Sequence, residues 1–247
     1  MRTWRPRRFP TLGVLLLSFG ANVLTALTGS AASDIRTLRT TATTGRQGAY
    51  YIPPASASSP LPILVFLHGT GGKGSTTVLR LRTLADRERF IAIAPDSVSV
   101  AGTWLVDPRP QGVTEDHRHV LNCVREVLAL PDVRADRLRV LLAGFSVGSG
   151  AAAYIASRED MFTAFAVLHG HVPTDILGPR RVRGWLSTGA RDRLRTVASV
   201  KSLGDQLRGP EHFPEIETRV FPTDHSLGDE ELAALVAWWL RGGLGRS

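Results

Sequence analysis

Gly144-Phe145-Ser146-Val147-Gly148 stands between the apolar run Leu138-Arg139-Val140-Leu141-Leu142-Ala143 and the small-residue run Gly150-Ala151-Ala152-Ala153-Tyr154-Ile155-Ala156. The order is a strand, a cramped turn and a helix. In that setting G-x-S-x-G reads as a nucleophile elbow, with Ser146 in a strained backbone conformation and glycines that let strand and helix close around it. The pattern alone recurs by chance, since glycine and serine are common. Its place between a buried strand and an Ala-rich helix is what points to an activated serine.

Working outward, the same alternation continues. Continuous apolar runs at Ile63–Leu67, Phe90–Ala94, Leu138–Ala143, Ala164–Leu168, Gly184–Thr188 and Glu217–Phe221 read as strands, several of them covered on both faces. Helical patterns lie between them at Thr77–Arg89, Glu115–Leu130, Gly148–Ser157, Val197–Leu207 and Asp229–Leu240. Ile35–Thr44 and Arg46–Ile52 are expected at the sheet edge, and Ala55–Pro60 is a loop by composition. Regular β/α alternation specifies an α/β fold, a mostly parallel sheet flanked by helices, with its ligand site beyond the carboxyl ends of the strands.

Serine is a poor nucleophile without a base in hydrogen-bond reach and an acid that orients the base. Gly189-Ala190-Arg191-Asp192 puts Asp192 just past the carboxyl end of one strand, and Phe221-Pro222-Thr223-Asp224-His225 puts His225 in the equivalent loop of the last. The expected catalytic set is therefore Ser146, Asp192 and His225, with Asp175 and His212 as the rival acid and base. His212 precedes the last strand instead of following it. His68-Gly69-Thr70-Gly71-Gly72 follows the Ile63–Leu67 strand, and its glycines let backbone N–H groups approach a substrate oxygen. Thr70 and Val147 are the expected oxyanion-hole donors. A phosphate-loop reading of Gly69–Ser75 fails on spacing, because Lys73 precedes Gly74.

On these motifs, together with Asp116 at a helix start and Asp136-Arg137-Leu138 before the elbow strand, the chain resembles the α/β-hydrolase superfamily. Within it, the chain is similar to secreted polyhydroxybutyrate depolymerase-like esterases and carboxylesterases. The resemblance spans Arg46 to Leu240. It implies two-step ester hydrolysis: attack by Ser146, proton transfer through His225, orientation by Asp192, and release of the acyl group by water. No metal or organic cofactor is implied. Gly148-Ser149-Gly150 departs from the consecutive glycines such esterases often carry, and Ala101–Asp107 matches their Trp-containing pocket loop only loosely. Trp104, Leu105 and Phe145 are the expected apolar walls. The short connection from Leu168 to Gly184 leaves no room for a large cap domain, so short-chain esters or accessible polymer ends are the expected substrates. Acyl transfer to an alcohol and a non-catalytic binding role are the competing readings.

Residues 1–32 read as a signal peptide: Arg2, Arg5, Arg7 and Arg8, an apolar segment over Leu12–Leu27, then small residues up to a cleavage point after Ala32. Residues 33–247 are then a single domain, secreted or periplasmic, with the membrane met only through the signal segment. Those four arginines supply half of the formal net charge of +8. The remaining positive charge is interspersed with acids, as in Asp86-Arg87-Glu88-Arg89, so no nucleic-acid surface is expected. Cys123 is the only cysteine, which excludes an intrachain disulfide and any C-x-x-C site. It is expected to be a buried apolar residue.

The other histidines have mostly structural readings. His117 and His119 lie two apart on a helix and diverge. His169 and His171 are expected at the rim of the site, and His68 is expected to support the oxyanion loop through backbone hydrogen bonds. Trp238 and Trp239 are expected to pack the final helix.

Overall fold

The computed structural model describes residues 35–54, 59–107, 109, 112–208, 213 and 215–242. The expected signal segment and His212 lie outside them. Residues 32–247 fall into one compact unit, and among the described residues no helix is long and apolar enough to cross a membrane.

Among the described residues eight strands form one sheet: β1 (Arg36–Thr37), β2 (Gly48–Tyr51), β3 (Leu61–Leu67), β4 (Ile91–Pro95), β5 (Ala135–Phe145), β6 (Ala164–Leu168), β7 (Arg183–Gly189) and β8 (Ile216–Phe221). Their spatial order is β1-β2-β4-β3-β5-β6-β7-β8. The β1–β2 and β2–β4 pairings, at one edge, are antiparallel; every other pairing is parallel. Helices α1 (Gly74–Glu88), α2 (Glu115–Leu128), α3 (Val147–Ala156) and α4 (Val197–Leu207) lie in crossovers between strands, and α5 (Asp229–Arg241) follows the last strand. The architecture is that of an α/β-hydrolase without a large cap. The β6–β7 connection carries only a 3-10 turn, Thr174–Ile176.

Strand periodicity divides the core. Ile63, Val65 and Leu67 pack with Val120, Val124, Ala152 and Leu203, so α2, α3 and α4 cover one face. Leu64 and Phe66 pack with Val78, Leu81, Leu235 and Val236, so α1 and α5 cover the other. Parallel strands buried on both faces need this continuous apolar composition. Trp238 and Trp239 belong to the second layer, against Trp185 and Phe90.

Element ends differ from expectation where tertiary contacts decide them. α1 starts at Gly74, three residues before Thr77, with Lys73 as its N-cap and the Gly74 N–H donating to Asp96 Oδ1 at 2.5 Å. β5 starts at Ala135, before the apolar run, because Leu61 pairs with Ala135 ahead of a register shift.

Candidate active site

β5 delivers the chain into Ser146, which has φ 52° and ψ −117°. An L-residue other than glycine is strained at this φ, and such outliers persist only where the surroundings over-determine them. Here the Ser146 N–H donates to the Leu168 carbonyl at 2.9 Å. The Ser149 hydroxyl is shared between the Gly144 carbonyl at 2.7 Å and the Leu168 carbonyl at 3.0 Å. Ser149 thus laces β5, α3 and β6 together behind the turn, which accounts for a serine at this departure from the glycine run. A Cβ on Gly148 would lie 2.5 Å from the Leu67 carbonyl and 2.7 Å from that of His68, so only glycine fits. Ser146 occupies the N-cap of α3, yet its side chain caps nothing. The hydroxyl is left to meet His225.

His225 Nε2 lies 3.0 Å from Ser146 Oγ, and His225 Nδ1 lies 2.8 Å from Asp192 Oδ2. Asp192 is buried, and its Oδ1 accepts the N–H groups of Leu194 and Arg195, both at 2.8 Å. Burial alone would raise its pKa; these N–H groups and the neighbouring imidazoles outweigh that and hold it at about 2. An ionised Asp192 can only accept, so His225 Nδ1 donates and Nε2 turns a lone pair toward the serine. The loops bearing acid and base are tied together: the Ala190 N–H donates to Phe221 at 2.7 Å and the Arg191 N–H to Thr223 at 2.9 Å.

Opposite them, His68 is neutral and buried beneath the Thr70 turn, its pKa lowered chiefly by desolvation. Its Nδ1–H donates to the Gly69 carbonyl at 2.7 Å, and its Nε2 accepts from the Ser97 N–H at 3.2 Å. The Gly72 N–H closes the turn on Gly69 at 3.0 Å. Val147 opens α3, so its N–H is among those that no intrahelical carbonyl can meet. A cavity of about 360 Å³ lies against the Thr70 turn and His225, lined among others by Phe66, Lys73, Arg80 and Phe145. Phe145 lines the cavity, and Trp104 and Leu105 are not among its lining residues. Trp104 is 7% exposed and supports the turn from below, donating its indole N–H to the His68 carbonyl at 2.8 Å. The Leu105 side chain points into solvent, because its N–H is held by Asp116 Oδ2 at 2.7 Å. Asp116, fully buried, also accepts the Val98 N–H at 2.7 Å and so anchors this loop to α2.

The family model described as Esterase PHB depolymerase matches residues 47–178, more than half of the chain and inclusive of the elbow. The chain belongs to this esterase family. It is a serine esterase of α/β-hydrolase fold. Solved structures agree on the fold: the fluorophosphonate-binding serine hydrolase F of Staphylococcus aureus is similar with a TM-score of 0.60 at 15% identity, over 83% of this chain and 98% of that one. The S-formylglutathione hydrolase of the same organism is similar with a TM-score of 0.60 at 14% identity, over 84% and 100%. A Bacillus cereus carboxylesterase is similar with a TM-score of 0.56 at 18% identity, over 78% and 92%. No curated protein matches the chain.

The family match ends before Asp192 and His225, so their relation to Ser146 in this esterase rests on the geometry above. That geometry also holds two further residues, one placed by the sequence at the rim and one not singled out by it. His169, read as a rim residue, is fully buried: its Nδ1 lies 2.8 Å from Asp192 Oδ2 and its Nε2 3.1 Å from Glu231 Oε2. The first residue after β6 takes φ 51°, which turns the ring inward behind Asp192. Glu231, in the acidic first turn of α5, looks like an ordinary helix-start residue and is instead fully buried. His171 and Asp175 are exposed.

Elsewhere in the esterase, His117 is paired with Glu159 at 2.7 Å, and His119 with the Cys123 sulfur at 3.6 Å. Burial pushes the Cys123 thiol pKa far up. His169, Asp192 and His225 place three donor atoms within 4.8 Å of one another, a spacing that could hold a metal ion. Each of those atoms already has a hydrogen-bond partner within the chain.

Proposed function

We propose that this esterase hydrolyses carboxylic esters through an acyl-enzyme on Ser146, with His225 as general base and then general acid and Asp192 as its orienting partner. The observation that carries this reading is the continuous hydrogen-bonded chain from Ser146 Oγ through His225 to Asp192, at 3.0 and 2.8 Å. His225 Nε2 takes the hydroxyl proton as Oγ attacks the ester carbonyl. The resulting oxyanion is cradled by the Thr70 and Val147 N–H groups, where one such donor is worth roughly 3 kcal/mol in the transition state. The imidazolium then protonates the leaving alcohol, and a water activated by His225 frees the acid.

Short acyl chains or the ends of polymers are the proposed substrates. The cavity beside His225 is small, is lined by the apolar Phe66, Leu81 and Leu232, and among the described residues has no large cap above it. Export is proposed from the basic and apolar character of residues 1–32. N-terminal sequencing of protein recovered outside the producing cell, beginning at Ser33, supports it; retention in the cytoplasm with Met1 intact refutes it.

The test of the reaction is p-nitrophenyl ester turnover from acetate to palmitate by the wild type and Ser146→Ala. Turnover is expected to be greatest on short chains and absent from the variant. Activity that survives in the variant refutes Ser146 as nucleophile, and a palmitate optimum refutes the substrate class.

A further inference from the structure

Behind the site lies a line of buried polar groups: Asp192, His169, Glu231, Ser187 and Trp185. We propose that His169 and Glu231 are positioning residues for the Asp192–His225 pair, His169 acting as an imidazolium clamped between two carboxylates. The proposal rests on the triad reading above, and its tests separate the two.

Donor counting supports the cation. Both ring nitrogens of His169 face carboxylate oxygens, Asp192 Oδ2 at 2.8 Å and Glu231 Oε2 at 3.1 Å, and all three side chains are sealed from solvent. A neutral imidazole has one N–H, so one contact would set lone pair against lone pair. An imidazolium satisfies both and leaves the cluster with one net negative charge. Burial opposes the charge on His169, but Glu231 and Asp192 outweigh it and raise the pKa. The rest of the cluster fixes the carboxylates as acceptors. Glu231 Oε1 takes the Ser187 hydroxyl at 2.6 Å, and Ser187 itself accepts the Trp185 indole N–H at 3.1 Å. Glu231 also stands in the first turn of α5, where the helix dipole favours an anion.

The geometry gives this cation a task. Asp192 Oδ2 accepts from His169 and His225 together, and the two rings meet nearly perpendicular, at 87°, with centroids 5.7 Å apart. Phe145 stacks against both, at 5.6 and 5.3 Å, and covers the junction. His169 therefore anchors the side of the carboxylate that the backbone donors of Leu194 and Arg195 do not reach. The titratable groups that face it are Asp192 from the loop after β7, Glu231 from α5 and His225 from the loop after β8. When His225 takes the serine proton, a second cation stands beside it, closer than Glu231 on the far ring nitrogen. Through that repulsion the cation bears on the acid limb of activity and keeps it at lower pH.

Two measurements test this on the full chain. In ¹⁵N-labelled wild type, ring-nitrogen NMR is expected to show both His169 nitrogens protonated across the pH range in which the enzyme is active. A single-N–H His169 there overturns the clamp, whatever the activity. The double variant His169→Asn, Glu231→Gln removes both charges, and asparagine tolerates a positive φ. Its kcat is expected to fall by roughly tenfold or more with KM within about twofold, and the acid limb of kcat/KM to move up by about one pH unit. A folded double variant with wild-type kcat and an unmoved limb reduces His169 and Glu231 to packing. Neither result bears on Ser146, whose role stands or falls with Ser146→Ala.

Discussion

The Trp104 indole N–H reaches the His68 carbonyl at 2.8 Å, and the two rings pack with centroids 5.0 Å apart. A residue two elements away thereby holds the turn that presents Thr70. Trp104→Phe keeps most of the packing and leaves a buried carbonyl without its donor, a loss worth about 1–3 kcal/mol. The expected result is a lower melting temperature together with a several-fold lower kcat; unchanged values of both would show that the turn needs no such support.

The proposed role of Thr70 belongs to its backbone. Thr70→Ala should retain activity within about threefold, whereas Thr70→Pro removes the N–H and should cost on the order of 10²–10³ in kcat. Circular dichroism of both variants checks the fold. Equal activities would place the donor elsewhere.

Gly148 is enclosed by the Leu67 and His68 carbonyls. Adding a methyl group there must push β3 and α3 apart, so Gly148→Ala should destabilise by roughly 2–3 kcal/mol and misplace Ser146. Denaturant unfolding measures the first effect and ester turnover the second.

Asp192 is held at about 2, below its ordinary 3.8. A depressed carboxylate stabilises the fold fully above its ordinary value and loses that contribution as pH falls toward 2. Wild type should therefore lose stability between pH 4 and 2 more steeply than Asp192→Asn, seen in melting temperature against pH. The variant should also lose about 10⁴ in kcat, as expected when the base loses its orienting acid.

The sheet was readable in the sequence because parallel strands covered on both faces leave uninterrupted apolar runs, and because β/α alternation has few other solutions. That Ser146, Asp192 and His225 lie near one another could be expected, because each sits in a short motif directly after a strand. The clamp behind them could not be. His169 and Glu231 lie 62 residues apart and meet at 3.1 Å only in the fold, and an acidic helix start carries no local sign of burial. Trp104 misled for a related reason: an aromatic near the site suggests a wall, and only the tertiary structure shows its N–H spent on His68.

The central claim, that Ser146 is activated by His225 and Asp192, is tested most directly by labelling the native protein with a fluorophosphonate and mapping the adduct by mass spectrometry. A single adduct on Ser146 is expected, forming rapidly in the wild type and at least 10³-fold more slowly in His225→Ala. An adduct on another residue, or equal labelling in a folded His225→Ala variant, would contradict it.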